Sequence, residues 1–346
     1  MLARPETVEG REAVDLLERT RTAVTPHLRS TVESLPGPLR RVAMYHFGWE
    51  HADGTPAGTP AGTPIRPALV LAAATALGGR PEAAVRAAAA VELVHHFTLL
   101  HDDVIDEDAT PRERPTAWTV FGTPDAVLVG DALLALALRL VADEGLLVSA
   151  AASARLAACV VELCAGQQAD RAFEHRGPRD VSLDACLTTA MAKTGALLGC
   201  ACALGALYAG AGEEEVAAMD AFGREAGLAF QLIDDLIGIW GDAGRAGKPA
   251  GADLAGHKKS LPVVAALSSG TPAAAELAEL YRGPMGADAV ARAADAVDRA
   301  GGRDWAQIHA ADRMARAIDH LSRAVPDLAA AGELLALAEF VTRRGP

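Results

Sequence analysis

Aromatic residues are scarce in this chain: phenylalanine, tryptophan and tyrosine together make up 4% of 346 residues, although 51% of residues are apolar. A core of that size has to be assembled mostly from alanine, leucine and valine. Alanine and leucine above all favour helix over strand. Runs of strictly alternating polar and apolar residues, the mark of a half-buried strand, are also lacking. The apolar spacing of residues 11–28, 83–100, 126–141 and 287–300 is instead helical. No linker rich in Pro, Gly or Ser separates two independent sets of helices. One large all-α domain over residues 1–346 is therefore predicted.

Positive charge is in deficit as well. Lys and Arg number 32 against 45 Asp and Glu, a formal net charge of −13, which excludes the basic face that nucleic acid requires. Cysteines are few: Cys159, Cys164, Cys186, Cys200 and Cys202, with no CxxC pair and no histidine at zinc spacing. They read as buried, reduced thiols of a cytoplasmic protein. Residues 1–6, Met-Leu-Ala-Arg-Pro-Glu, hold no apolar signal core. Residues 194–212 run for nineteen positions without charge, long enough to span a bilayer. They are mainly Ala, Gly and Cys and follow Lys193 directly, so a buried bundle helix is predicted and no transmembrane segment.

Against that background, Asp102, Asp103 and Asp106 stand out at the end of the apolar run 91–101. On a helix Asp102 and Asp106 lie one turn apart on one face, with Asp103 beside them. Three like charges so close repel unless a cation neutralises them. Hard carboxylate oxygens at this spacing suit Mg²⁺, which keeps several waters and binds through one or two carboxylates plus substrate phosphates; a solvated acidic helix end is the alternative. Asp234 and Asp235 form a second pair inside the apolar run 230–240, followed by Lys248, Asp253, Lys258 and Lys259. Two such pairs with lysines close behind describe a site for a metal-bridged diphosphate.

These pieces resemble one known family, the trans-isoprenyl diphosphate synthases or polyprenyl synthetases. The matching stretches are HDDVIDED (101–108), RERPTAW (112–118), GQQAD (166–170), AKTGALLG (192–199) and FQLIDD through DLAGHKKSLP (230–262), in the family's order and spacing. The wording FQLIDDLIGIWGD is most similar to the actinobacterial branch. The resemblance implies a single helical bundle of the isoprenoid synthase type with a central active-site cavity. It further implies that Asp102, Asp103, Asp106, Asp234 and Asp235 bind about three Mg²⁺ ions, with Lys193, Thr194, Lys248, Lys258, Gln167 and Gln231 serving the same allylic diphosphate. For isopentenyl diphosphate it assigns Arg66, His95 and Arg112. Homodimers are typical of the family and are expected here.

Three departures from the pattern matter. Thr63 stands where the family has a lysine that holds isopentenyl diphosphate, Pro111 replaces the first of two adjacent arginines, and Gly238 replaces the third aspartate of the second motif. Asp242 offers a carboxylate near Gly238. The Thr63 departure falls in a segment, 51–64, that repeats Gly-Thr-Pro three times from Gly54 and is predicted to be an exposed loop between helices.

Product length is argued from Phe97, five residues before Asp102 and so about 7–8 Å along the same helix. In the family a bulky side chain there closes the elongation tunnel. Thr98, one residue nearer, is small, which resembles the pattern of twenty-carbon, geranylgeranyl synthases. Three functions fit the residues: an elongating prenyltransferase, a diverged class I terpene cyclase that ionises a ready-made prenyl diphosphate, and a weak or silent subunit supporting an active paralogue. The C-terminal part, including residues 305–307 and 312–324, reads as packing.

Overall fold

The computed structural model describes residues 8–58, 62–107, 114–142, 148–241 and 250–342. Among them there is no strand; helices alternate with short turns, apart from one isolated backbone bridge between Glu50 and Pro56. Arg112, Lys248, Pro111 and Asp242 lie outside the described residues, as do residues 59–61 of the Gly-Thr-Pro repeat.

Two compact units are present. The first comprises residues 1–160, 200–219 and 324–337, and the second 161–199, 220–323 and 338–346. In the first, α1 (Val8–Glu33), α2 (Gly37–His46), α3 (Ile65–Ala76), α4 (Val85–Ile105), α5 (Ala117–Phe121) and α6 (Thr123–Ala142) follow one another in sequence. The scarcity of aromatics has a direct structural counterpart here. Ala68, Ala72, Ala73 and Ala74 of α3 and Ala87 to Ala90 of α4 are essentially inaccessible, so the helix backbones approach closely on small side chains. Over residues 51–64, between α2 and α3, the described chain is non-helical and mostly exposed, the loop that its Gly-Thr-Pro repeat predicts.

Two long helices continue the chain, α7 (Val148–Glu174) and, after α8 (Leu183–Ala190) and α9 (Ala196–Tyr208), α10 (Glu213–Trp240). The second unit is completed by α11 (Ala252–Ala255), α12 (Leu261–Ser268), α13 (Pro272–Leu280), α14 (Ala287–Arg299) and most of α15 (Gly302–Ala324), before α16 (Gly332–Thr342) closes the chain. Its core gathers Phe173, Val181, Leu228, Leu232, Leu236, Leu261 and Val264, with Trp305 packed against it. Residues 305–307 and 312–324 are thus part of one packing helix, as their pattern predicts.

Three helices are long and apolar enough to cross a membrane by length and composition: Pro81–Ile105, Val148–Glu174 and Leu183–Tyr208. The last contains most of the uncharged run 194–212 and is 72% buried over its most apolar window, in line with the buried helix predicted for it. The α7 window is only 28% buried. Cys159, Cys186, Cys200 and Cys202 are buried free thiols, but Cys164 is exposed. That corrects the expectation of five buried thiols, because Cys164 falls on the outward face of α7.

Candidate active site

In the first unit, α4 delivers Asp102 and Asp103, both half-buried, in its last turn, and Asp106 as its exposed C-cap. The Asp106 amide donates to the Asp102 carbonyl at 2.8 Å, so the two aspartates are one turn apart as the sequence predicts. No basic residue occupies that last turn. Carboxylates at the negative end of a helix dipole are unfavourable by roughly 0.3–1 kcal/mol each, which makes this end receptive to a cation. The next residue, Glu107, has a φ of 53°, a left-handed conformation that costs a non-glycine residue about 1–3 kcal/mol and tends to mark functional sites.

Further back on α4, Phe97 is buried and sets its ring edge-on against His101, with centroids 4.8 Å apart. His101 is fixed in turn by a 3.0 Å contact of Nε2 to the Val127 carbonyl. The Thr98 hydroxyl donates to the His95 carbonyl at 2.8 Å, which turns it back on its own helix. Arg66, second residue of α3, and Arg21 of α1 both act electrostatically on the Glu92 carboxyl, whose pKa burial nevertheless raises to about 7.

In the second unit, Lys193 and Thr194 lie on a π-helical turn, Met191–Gly195, between α8 and α9. Such turns insert one extra residue and re-aim side chains, often at functional sites. Gly166 of α7 abuts the backbone of Ala192 and Lys193, where any larger side chain would collide. That approach brings Lys193 Nζ to Asp170 at 2.8 Å. A chain of hydrogen bonds then runs from the Thr194 hydroxyl to Gln231 Oε1 at 2.6 Å and from Gln231 Nε2 to Asp235 at 2.8 Å. Gln167 is half-buried, and its Oε1 has no hydrogen-bond partner among the described residues.

Asp234 and Asp235, equivalent in the sequence, are divided by the helix that carries them. About 100° of helical rotation separates neighbours, so Asp235 turns in (3% exposed) and Asp234 turns out to solvent. Asp235 accepts the Leu261 N–H at 2.9 Å and so caps the first turn of α12, whose own N-cap Ser260 makes no side-chain cap. Burial raises the Asp235 pKa, and the Lys258 ammonium only partly offsets this. Lys258 Nζ lies 3.5 Å from Asp235 and 3.4 Å from Asp253. Burial by itself would lower its pKa, but Asp235, Asp253, Asp234 and Asp170 together raise it. The preceding His257 has a φ of 52°, the only other described non-glycine residue in the left-handed region.

Asp253, noted in the sequence only as following the second pair, is a residue to which sequence reasoning gave no role. A Cβ placed on Gly238 would collide with the Asp253 carboxylate. A carboxylate from α11, fifteen residues on, thus occupies the space that a side chain at 238 would need. Asp242, the compensating residue expected from the sequence, is outside the described residues, and the space is already filled. The signal was present in the spacing of Asp253 to Lys258, five residues apart across a turn rather than within a helix. Gly238→Ala is expected to push Asp253 off Lys258 and cost about 1–2 kcal/mol; an unchanged denaturant midpoint would refute this.

A fold of this kind, with paired aspartates and lysines around them, can be compared with known proteins. The sequence model described as Polyprenyl synthetase matches residues 57–298. The chain belongs to that family. It is 49% identical over 334 residues to the geranylgeranyl diphosphate synthase of Mycobacterium tuberculosis, covering 95% of this chain and 93% of that protein. To the (2E,6E)-farnesyl diphosphate synthase of Mycobacterium bovis it is 41% identical over 340 residues, covering 96% and 94%. The crystal structure of a polyprenyl synthetase from Streptomyces coelicolor superposes with a TM-score of 0.91 at 43% identity, covering 95% of this chain and 99% of that one. A geranylgeranyl pyrophosphate synthase from Corynebacterium glutamicum, crystallised with isoprenyl diphosphate and magnesium, gives 0.79 at 25% identity and covers 95% and 98%. The all-α class, the polyprenyl synthetase resemblance and the prenyl transferase activity expected from the sequence all stand.

Among the described residues, no three His, Cys, Asp or Glu side chains form a ready-made metal cage. A polyprenyl synthetase needs none, since Mg²⁺ takes one or two carboxylates and completes its shell with water and phosphate. Within its own unit, each set of carboxylates, Asp102, Asp103 and Asp106 at the end of α4 and Asp234 with Asp235 on α10, offers the hard oxygen donors that suit a divalent cation.

Proposed function

We propose that this polyprenyl synthetase is a Mg²⁺-dependent enzyme that extends an allylic diphosphate with isopentenyl diphosphate and stops at the twenty-carbon geranylgeranyl product. The observation that carries the product length is Phe97, buried and braced by His101, with Thr98 one residue nearer the aspartates. Asp102, Asp103, Asp106, Asp234 and Asp235 would hold about three Mg²⁺ ions. Bound there, Mg²⁺ supplies Lewis-acid stabilisation of the departing pyrophosphate and a template for it.

The remaining work falls to the chain's own side chains. Lys193, Lys258 and, from the family resemblance, Lys248 stabilise negative charge as the allylic C–O bond breaks. Gln231 is oriented by Thr194 and Asp235, while Arg66, His95 and Arg112 hold isopentenyl diphosphate. Its double bond attacks the allylic cation, and a proton then leaves, taken up by the released pyrophosphate. The single-domain arrangement over residues 1–346 and a cytoplasmic setting belong to the same reading, the latter in keeping with five free thiols. A homodimer is supported by α7, whose outward face carries Ala154, Ala158, Val161 and Ala165, with Val161 70% exposed.

Product analysis tests the proposal. Purified protein with Mg²⁺ and farnesyl diphosphate is expected to yield geranylgeranyl diphosphate only when isopentenyl diphosphate is added. A hydrocarbon formed without it would mean a cyclase, and no turnover would mean a silent subunit. Phe97→Ala is expected to shift products beyond twenty carbons, at a stability cost of about 3–5 kcal/mol. An unchanged product profile would rule Phe97 out as the stop.

A further inference from the structure

On the reading that the chain binds isopentenyl diphosphate, one cation of that site is missing from the sequence, because Thr63 stands in the place of a lysine. Three observations, all in the first unit, bear on what replaces it. The Arg21 guanidinium of α1 donates to the Gly62 carbonyl at 2.9 Å, the residue immediately before Thr63. Gly62 has a φ of 106°, a conformation that glycine adopts freely, so the loop's last turn is shaped where Arg21 grips it. Arg21 and Arg66 both act on the carboxyl of Glu92, which lies on α4 one turn before His95.

Arg21 and Arg66, on separate helices, both act electrostatically on one half-buried carboxyl, and Arg21 also reaches the backbone beside Thr63. Guanidinium is always protonated and forms paired N–H bonds to phosphate oxygens. We propose that Arg21 supplies the cation missing at Thr63, binding the diphosphate of isopentenyl diphosphate together with Arg66 and His95. The loop before α3 is then free to drop its lysine, because the charge comes from α1 instead.

The test is steady-state kinetics on Arg21→Gln, Arg21→Lys and the double variant Arg21→Gln/Thr63→Lys, with thermal unfolding as a control. Arg21→Gln is expected to raise KM for isopentenyl diphosphate roughly 10–100-fold while KM for farnesyl diphosphate stays within about twofold. Arg21→Lys should lose much less, and Thr63→Lys should restore most of the affinity of Arg21→Gln. An unchanged KM for isopentenyl diphosphate, or an equal loss for both substrates tracking a lower Tm, would overturn the proposal and leave Arg21 as a loop clamp. A second measurement needs no variant at Arg21: isopentenyl diphosphate binding to Thr63→Lys, by calorimetry, is expected to match the unmodified protein within about threefold. Tightening by tenfold or more would show that the cation position is empty and overturn the idea. Failure of the underlying reading looks different, since the unmodified protein would then make no elongated product at all.

Discussion

Asp234→Asn is expected to lower kcat by roughly 10²–10³-fold and to change thermal stability much less than Asp235→Ala, which destabilises the fold. The two aspartates are neighbours on α10 with opposite surroundings. Asp234 is exposed, so its charge faces solvent and can serve a cation or a phosphate. Asp235 is 3% exposed and holds the Leu261 N–H, Gln231 and Lys258. Removing it leaves a helix-terminal N–H buried without its acceptor, a loss of about 1–3 kcal/mol, and releases Gln231 from the chain that begins at Thr194. Asp235→Asn keeps an acceptor oxygen and should recover most of that stability. Turnover and denaturant midpoints measured on the three variants separate the roles; equal effects of Asp234→Asn and Asp235→Asn on both readouts would defeat the distinction.

Glu92→Gln is expected to stabilise the protein at pH 8 by on the order of 3 kcal/mol and to have no effect near pH 4. Burial raises the Glu92 pKa from 4.5 to about 7 against the opposing pull of Arg66 and Arg21. His96, one turn on, faces the same carboxyl at 3.7 Å. The sign follows from proton counting. Below pH 4.5 folded and unfolded chains both keep the proton, and burial carries no charge penalty. Between pH 4.5 and 7 the unfolded chain ionises first, so stability falls as pH rises. Above pH 7 the full penalty persists, at 1.36 kcal/mol for each pH unit of that interval. Glutamine never ionises and escapes it. Urea midpoints of the two proteins across pH 4–8 should diverge as pH rises, and parallel curves would show that Glu92 is ionised in the fold at little cost. The retention of an acid that weakens the fold at neutral pH is understandable if its task is to hold two arginines ready for a diphosphate.

What could be read from the sequence was local. The 3.6-residue spacing of Ala, Leu and Val marked out the helices, and i, i+4 arithmetic put Asp102 over Asp106, because both relations are set by backbone geometry alone. The motif order was legible for the same reason, as was the loop at the Gly-Thr-Pro repeat, where proline and glycine forbid helix. Gly238 was legible only as a loss, and Thr63 likewise, since each was judged against the residues beside it in the chain.

Only the tertiary structure decided which aspartate of the second pair turns inward, because that depends on where α12 begins and which donor it leaves unsatisfied. It also decided that Asp253 fills the space at Gly238, that a π turn presents Lys193 and Thr194, and that Arg21 reaches the residue before Thr63. These pairings join positions that lie fifteen, twenty-six or forty-one residues apart. Helical periodicity fixes the face on which a side chain lies but says nothing of which distant helix meets that face. That choice is made when the small-residue surfaces pack, and the charge arrangement of this site is a consequence of the packing.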